Sequence, residues 1–254
     1  MTSYKDTSIS LTSATIIQQS CTYWLKTVIK NQYVYGTSIP TTFNSLFNST
    51  DYLRFNRGIS SSILKVIIGR NSDILLHKCY TERLSYNMET IALISGLSSS
   101  VVKLGIIPLD TISNLYQVNG SKAKDIITKQ YTQEKHFFYR GTLAYMTLSG
   151  IGSSVWLYTY SRLNDTPLPY SKNINNAVIG VSSSIVSDLV VNPIRIVKTY
   201  KQSNQTYISY QTIIKNIMKM DGSITKSYFR GYGLRGCLNA FNSGVFMVLW
   251  KQME

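Results

Sequence analysis

Apolar residues along this chain gather into six stretches, approximately 8–32, 58–80, 89–117, 141–163, 173–201 and 231–252, each broken by polar positions. A helix needs about 20 mostly apolar residues to cross a bilayer. Every stretch has that length, but none is a clean hydrophobic run, because Gln18, Lys65, Arg70, Lys103 and Asp188 interrupt them. A membrane helix carries such a polar stripe when one side faces lipid and the other a water-filled cavity, where ionisable groups are tolerated. The pattern predicts six helices of membrane-spanning length. Small residues at near four-residue spacing let helix backbones approach: Ala92, Gly96 and Ser100, then Ala177, Gly180 and Ser184, and Ser10 with Ala14. A serine-rich composition also produces such spacings by itself. Polar segments with a shorter amphipathic piece lie between the long stretches. In the last of them Tyr210, Ile213, Ile214, Ile217 and Met218 share one face and Asp221-Gly222 supplies a stop, which predicts a helix lying on a membrane surface.

Two short signals recur in step along the chain. An aromatic residue shortly before an Arg-Gly pair occurs at Phe55, Arg57 and Gly58, at Tyr139, Arg140 and Gly141, and at Phe229, Arg230 and Gly231; the intervals are 83 residues (57 to 140) and 90 (140 to 230). A second element runs from Cys21 to Lys26, from Pro108 to Ser113 and from Pro193 to Lys198, at intervals of 87 (21 to 108) and 85 (108 to 193). Two independent markers keeping step three times predict a triplicated unit, with repeats at 1–86, 87–171 and 172–254 in one structural domain.

Charge narrows the choice of partner. With 26 basic and 12 acidic residues the net charge is +14, which points to an anionic partner: nucleic acid, an anionic lipid surface or an anionic solute. Only 15% of residues are charged, against about 25% in soluble domains. Lysines and arginines are dispersed rather than clustered beside aromatics, which argues against a nucleic-acid binder. The three cysteines, Cys21, Cys79 and Cys237, are far apart and support neither a disulfide framework nor a zinc site. Residues 1–15 lack the features of a cleavable targeting segment.

The run with Pro108, Asp110, Ser113 and Gln117 resembles the signature of the mitochondrial carrier family: a proline, any residue, an acid, two more residues, then a base. Pro193, Arg195, Lys198 and Gln202 resemble it again with the acid replaced, and Cys21, Tyr23 and Lys26 form the weakest copy, with neither proline nor acid. The resemblance spans the whole chain. It implies an all-α membrane protein with six transmembrane helices in three pseudo-symmetric repeats around a central cavity, and three short matrix-side surface helices. It also implies residence in the mitochondrial inner membrane, as a monomer. The richness in Asn, Ile, Lys, Tyr and Ser is that of an AT-rich genome, such as a parasite or a large virus whose carrier would work in its host's mitochondria.

The resemblance also assigns roles. In the family the acid of each signature pairs with the base of the next, forming a gate that breaks during alternating access. Here Asp110 with Lys198 is the one preserved pair, Tyr23 faces Ser113 without charge, and Arg195 meets Lys26 as a like charge. A wet ion pair contributes about 0–1 kcal/mol, so a weakly held gate is predicted, or one that needs an anion or lipid to close. Pro108 and Pro193 should kink their helices. Arg57, Gly58, Arg140, Gly141, Arg230 and Gly231 correspond to cardiolipin sites, since a helix start offers unpaired N–H groups and a positive dipole end to a phosphate. The alternative there is a helix-start turn with a snorkelling arginine.

Seven and eight residues beyond each repeat glycine stand Lys65 and Val66, Leu148 and Ser149, and Leu238 and Asn239, which the resemblance makes substrate contacts, with Arg235 just below. A basic side chain at the bilayer centre costs about 2.5–3.5 kcal/mol, so Lys65 needs water, an acid or a bound anion, or else snorkels to an interface. Lys103 and Asp188 each precede a signature proline by five residues; they form an internal pair, or they contact and select the solute. This basic and small-polar set favours an anionic solute such as a nucleotide, exchanged by antiport. A phosphate, cofactor or carboxylate carrier, or a non-transporting homologue serving as a membrane adaptor, is the other reading. Catalysis is not expected: His77 and His136 lack metal-ligand spacing, and no phosphate-cradling glycine loop or nucleophile elbow occurs. No cofactor or metal is expected either.

Overall fold

The computed structural model describes residues 4–48, 53–134, 136–166, 169, 171–204 and 206–253. Among them all regular structure is helical. The chain runs through α1 (Tyr4–Tyr35), α2 (Ile39–Phe47), α3 (Ile59–Arg83), α4 (Met88–Val102), α5 (Ile107–Asn119), α6 (Ala123–Gln133), α7 (Thr142–Asn164), α8 (Lys172–Ser203), α9 (Tyr210–Asp221), α10 (Ile224–Phe229) and α11 (Tyr232–Met253). With α4 and α5 counted together, the order long, short, long occurs twice among the described residues and a third time with one more short helix, α10, before the last long one.

Local sequence accounts for the ends. Ser38, Asn87 and Ser209 cap α2, α4 and α9 by accepting the backbone N–H of Thr41, Thr90 and Thr212, the usual work of a short polar side chain at that position. α9 stops at Gly222 in the left-handed conformation at φ 67°, as Asp221-Gly222 predicts. Its apolar face divides: Ile213 and Ile217 are buried, while Ile214 and Met218 are left outside.

The two signature prolines act differently. Before Pro108 the helix breaks into a 3₁₀ turn over Lys103–Ile106 and restarts as α5, so the stretch predicted as one kinked helix is two. α8 runs unbroken through Pro193. Gly105 stands in the broken helix with no atom near where its Cβ would be, which leaves room for the turn. In α8 the Asp188 carboxylate reaches Arg195 at 2.6 Å and clamps the two sides of the proline together.

Packing closes a ring. α1 touches α3, α3 touches α4, α4 touches α7, α7 touches α8, α8 touches α11, and α11 returns to α1. α5 packs against α1 and α8, and α1 against α8, so the second halves of three long helices also meet inside the ring. Side-chain polarity is inverted relative to a bundle in water. Ser95, Ser99, Asn114, Gln117, Ser183, Asn192 and Gln202 are buried, whereas Ile16, Ile17, Leu93, Leu97, Val101, Val186, Leu189 and Val190 are exposed. Two runs, Met88–Gln133 and Lys172–Ser203, are long and apolar enough to cross a membrane by composition alone among the described residues. The other long helices carry their polar residues inward and dilute the same signal.

The small residues lie at the closest contacts. A Cβ on Gly96 would stand 2.6 Å from the Ser154 backbone nitrogen and 2.9 Å from the Gly150 carbonyl oxygen, while Ala92 and Ser100 are buried on the same helix. Gly96→Ala should therefore wedge α4 from α7 at a cost of about 1–3 kcal/mol, read as a lower unfolding midpoint of the detergent-purified protein. Gly105→Ala, in open space, should not lower it.

Candidate functional site

The ring encloses a cavity of about 400 Å³ lined from α1, α3, α5, α7, α8 and α11 and by Lys103 at the 3₁₀ break. Among its lining side chains are eight basic groups, Lys26, Lys30, Lys65, Arg70, Lys103, Arg195, Lys198 and Arg235, against three acids, Asp73, Asp110 and Asp188. Tyr33, Tyr145, Trp156 and Phe246 supply aromatic surface, and Ser62, Ser149, Ser153 and Ser184 supply hydroxyls. Such an excess of one sign in a walled cleft concentrates ions of the other.

Each acid is held by a base. Asp110 accepts from Lys65 Nζ on one oxygen at 2.7 Å and from Lys198 Nζ on the other at 2.8 Å, joining α3, α5 and α8. Lys198 also lies 4.8 Å from the centre of the Tyr145 ring. Asp73 accepts from Lys103 through both oxygens, at 2.6 and 2.7 Å, and Ser153 accepts from the same ammonium. Asp188 holds Arg195 at 2.6 Å, accepts from Asn239, and stands 4.0 Å from Arg235. A carboxylate removed from bulk water must be compensated in this way, since its desolvation is expensive.

The structure brings Lys65, Val66, Leu148, Ser149, Arg235, Asn239, Lys103 and Asp188 to the cavity wall, and with them Asp110, Lys198, Lys26 and Arg195. Three expectations need correction. Leu238 does not line the cavity; it is buried with Ile29, Tyr33, Ile196, Ile213 and Ile217, because it occupies the face of α11 turned to α1, α8 and α9. Lys103 and Asp188 do not pair with each other, because nearer partners, Asp73 and Arg195, take them. Nor does Arg195 meet Lys26 as an unrelieved like charge: Asp188 neutralises it from its own helix, and Lys26 donates to Gln19. Asp110 with Lys198 is present, and Tyr23 lies beside Ser113 while donating to the Arg57 carbonyl at 2.8 Å.

The Arg-Gly elements form a cyclic arrangement. Gly58, Gly141 and Gly231 start α3, α7 and α11 with φ of 79°, 81° and 64°, which favours glycine. Each packs on the second half of another long helix: Gly58 on Ser113 and Tyr116 of α5, Gly141 on Lys198 and Gln202 of α8, Gly231 on Gln32 and Tyr33 of α1. Two of the arginines, Arg140 and Arg230, are not snorkelling. Arg140 and Arg230 are buried, paired with Glu134 and Asp221, and donate to the carbonyls of Asn204 and Tyr33 at the ends of α8 and α1. At the end of α5 that last role falls to Arg54, which donates to the Val118 carbonyl; Arg57 stands instead at the turn into α3, where its carbonyl accepts from Tyr23.

Sequence reasoning missed Lys30, Asp73, Tyr145 and Arg54 and read Arg70 only as an interruption. The signal was there for three of them. Gln19, Lys26, Lys30 and Tyr33 recur at helical spacing, as do Ser62, Val66, Arg70 and Asp73, and each set forms the inward stripe of its helix. Arg54 carried no such signal, because the Arg-Gly motif pointed to Arg57.

Asp110→Asn would leave Lys65 and Lys198 without their shared carboxylate. The expected loss is about 3–5 kcal/mol, the cost of breaking a buried pair from one side, seen as a marked fall in the unfolding midpoint.

A comparison with curated proteins finds none that matches. Residues 169–254, the last third of the chain, match the family model described as mitochondrial carrier protein. That segment holds α8, α9, α10 and α11, with the Pro193 signature, Arg230 and Gly231. Members of this family are carrier-type membrane transporters rather than enzymes, and the match over the last third of this chain, with a proline signature and its Arg-Gly partner, supports its membership of the mitochondrial carrier family.

Proposed function

We propose that this chain moves an anionic metabolite across the mitochondrial inner membrane by alternating access, through the cavity inside the ring. The observation that carries the reading is the eight bases against three acids on the cavity wall. Five of the bases are engaged by the acids, so an excess remains to attract a negatively charged solute. Aromatic and hydroxyl surface from Tyr145, Trp156 and Ser149 beside that charge suits a solute that is anionic at one end and planar or polar at the other, and nucleotide or deoxynucleotide exchange is the preferred assignment. Carriage of inorganic phosphate or a simple carboxylate uses the same excess but not the aromatic surface, whereas a cofactor with a planar ring would use both.

In this reading the six long helical stretches span the bilayer as three repeats, 1–86, 87–171 and 172–254. The inverted polarity supports it: apolar side chains of α1, α4 and α8 point outward where lipid would lie. So does the cyclic packing of the three motif glycines, each on a helix of another unit. The short helices α2, α6 and α9 lie on the matrix side. A cardiolipin phosphate is held by the backbone amides at Gly58, Gly141 and Gly231, with Arg140 and Arg230 fixing the geometry from inside the protein. The chain works as a monomer, its pathway lying within one ring.

A membrane adaptor that no longer transports is the second reading. It is favoured by the uncharged Tyr23 and the basic Arg195 where the family signature has acids, which leaves Asp110 with Lys198 as the signature pair that forms.

Counter-exchange in liposomes separates the two. Protein-dependent uptake of labelled nucleotide into nucleotide-loaded vesicles is expected, and Lys65→Ala should lower its initial rate by about tenfold or more, the loss of one charged hydrogen bond of ~1.5–3 kcal/mol. Vesicles that take up no anion under any loading would leave the adaptor reading.

A further inference from the structure

The excess of positive charge in the cavity is concentrated on one wall. Lys65 and Lys198 share Asp110, Lys103 has Asp73, and Arg195 and Arg235 face Asp188. Among the described residues Lys26, Lys30 and Arg70 make no direct ion pair with a carboxylate, and all three belong to α1 and α3. Lys26 donates to the Gln19 side-chain oxygen, Lys30 to that of Asn114, and Arg70 to the Thr15 hydroxyl at 3.3 Å while covering the Phe246 ring at 4.0 Å. Neutral amides and hydroxyls orient these cations without cancelling them.

Their placement is ordered. Gln19 and Thr15, where the Lys26 ammonium and the Arg70 guanidinium end, are successive positions on one face of α1, about 6 Å apart at 1.5 Å per residue. Lys26 lies in electrostatic range of Arg70, Arg235 and Lys65, Lys30 in range of Lys65, Asp110, Lys198 and Lys26, and Arg70 in range of Asp73, but those two acids are already bound to Lys65, Lys198 and Lys103. Lys30 also breaks the pattern of the chain: nine residues past Cys21 it stands where Gln117 and Gln202 stand nine past Pro108 and Pro193. The extra cation is thus found in the first of the three units alone.

We propose that Lys26, Lys30 and Arg70 form a seat for a phosphate-bearing group, running along the inner face of α1 from the Thr15 level down to Asn114. A carboxylate offers two oxygens in one plane and a single charge, which one bidentate guanidinium can match. A phosphoryl group presents oxygens in several directions and more charge, and it accepts at once from a planar Arg fork and from Lys point charges. A diphosphate bridges the step between the Lys26 and Arg70 head groups. The inference deepens the anion-carrier reading by naming the chemistry of the charged end, but it concerns binding and does not require transport.

The test is thermal unfolding of the full chain in detergent, at constant ionic strength, with chloride, inorganic phosphate, pyrophosphate or a nucleoside diphosphate, because a ligand bound by the folded form raises the midpoint. Pyrophosphate should raise it by several degrees over chloride. Lys26→Gln, Lys30→Gln and Arg70→Gln should each at least halve that shift, and Lys26→Gln, by relieving repulsion from Arg70, Arg235 and Lys65, should melt no lower than the parent without anion. Lys103→Gln, which removes a paired cation, should lower the midpoint yet keep the pyrophosphate shift. A nucleoside diphosphate acting no more strongly than pyrophosphate assigns the seat to the phosphate alone, whereas a larger shift lost in the same variants assigns it to the phosphate end of a nucleotide. Equal midpoints in chloride and pyrophosphate, or an undiminished shift in all three seat variants, overturn the proposal. Binding through these side chains without any uptake in liposomes would retain the seat and remove only the transport reading.

Discussion

A single carboxylate, that of Asp110, lies where three helices would otherwise bring unrelieved positive charge together. With a side-chain exposure of 3%, it takes Lys65 from α3 on one oxygen and Lys198 from α8 on the other, while its own helix, α5, packs between them. Two ammonium groups that close would repel each other strongly in a medium less polar than water; with the carboxylate between them they become a brace. Around it Asn114 contacts Asp110, Lys30 and Gln202, extending the brace to α1. The inner ends of the long helices are therefore held by one acid and a set of amides rather than by a symmetric ring of ion pairs. That arrangement is compact, and it is charge-poor on the negative side.

The inverted distribution of polarity follows from the same economy. Serines, asparagines and glutamines fill the interior where α4, α5, α7 and α8 meet, and many satisfy themselves locally, Ser95 on Ile91, Ser183 on Ile179 and Ser203 on Thr199. Small residues let those helices approach closely enough for backbone and hydroxyl contacts such as Ser187 to the Gly152 carbonyl. Association without a large apolar core is what a membrane setting asks of helices, because lipid already satisfies apolar surface. The apolar clusters that do exist are small and lie largely at the helix ends, as with Leu115, Ala123, Ile126 and Phe137.

Much of this was legible in the residues. The six long helical stretches fall close to where apolar length placed them, the glycines of the Arg-Gly elements begin α3, α7 and α11, and Asp110 finds Lys198. What was not legible depends on distance rather than spacing. Nothing in a sequence says that Lys103 prefers Asp73, thirty positions back on a neighbouring helix, to an acid at the matching level of another unit. Leu238 was misplaced because two adjacent residues of a helix point about 100° apart, and only Asn239 turns inward. Arg54 was invisible because its task, satisfying the end of α5, is normally carried out by the arginine of the motif.

The unequal treatment of the two prolines sets how such a bundle can move. α8 is stapled across Pro193 by the salt link between Asp188 and Arg195, so it behaves as a single rod. The second long stretch is already jointed at Lys103–Ile106, where the hydrogen-bond ladder changes register and a glycine leaves slack. A rod opposite a joint cannot widen evenly. Any opening of the vestibule would swing from the jointed side, an off-centre hinge in place of an iris.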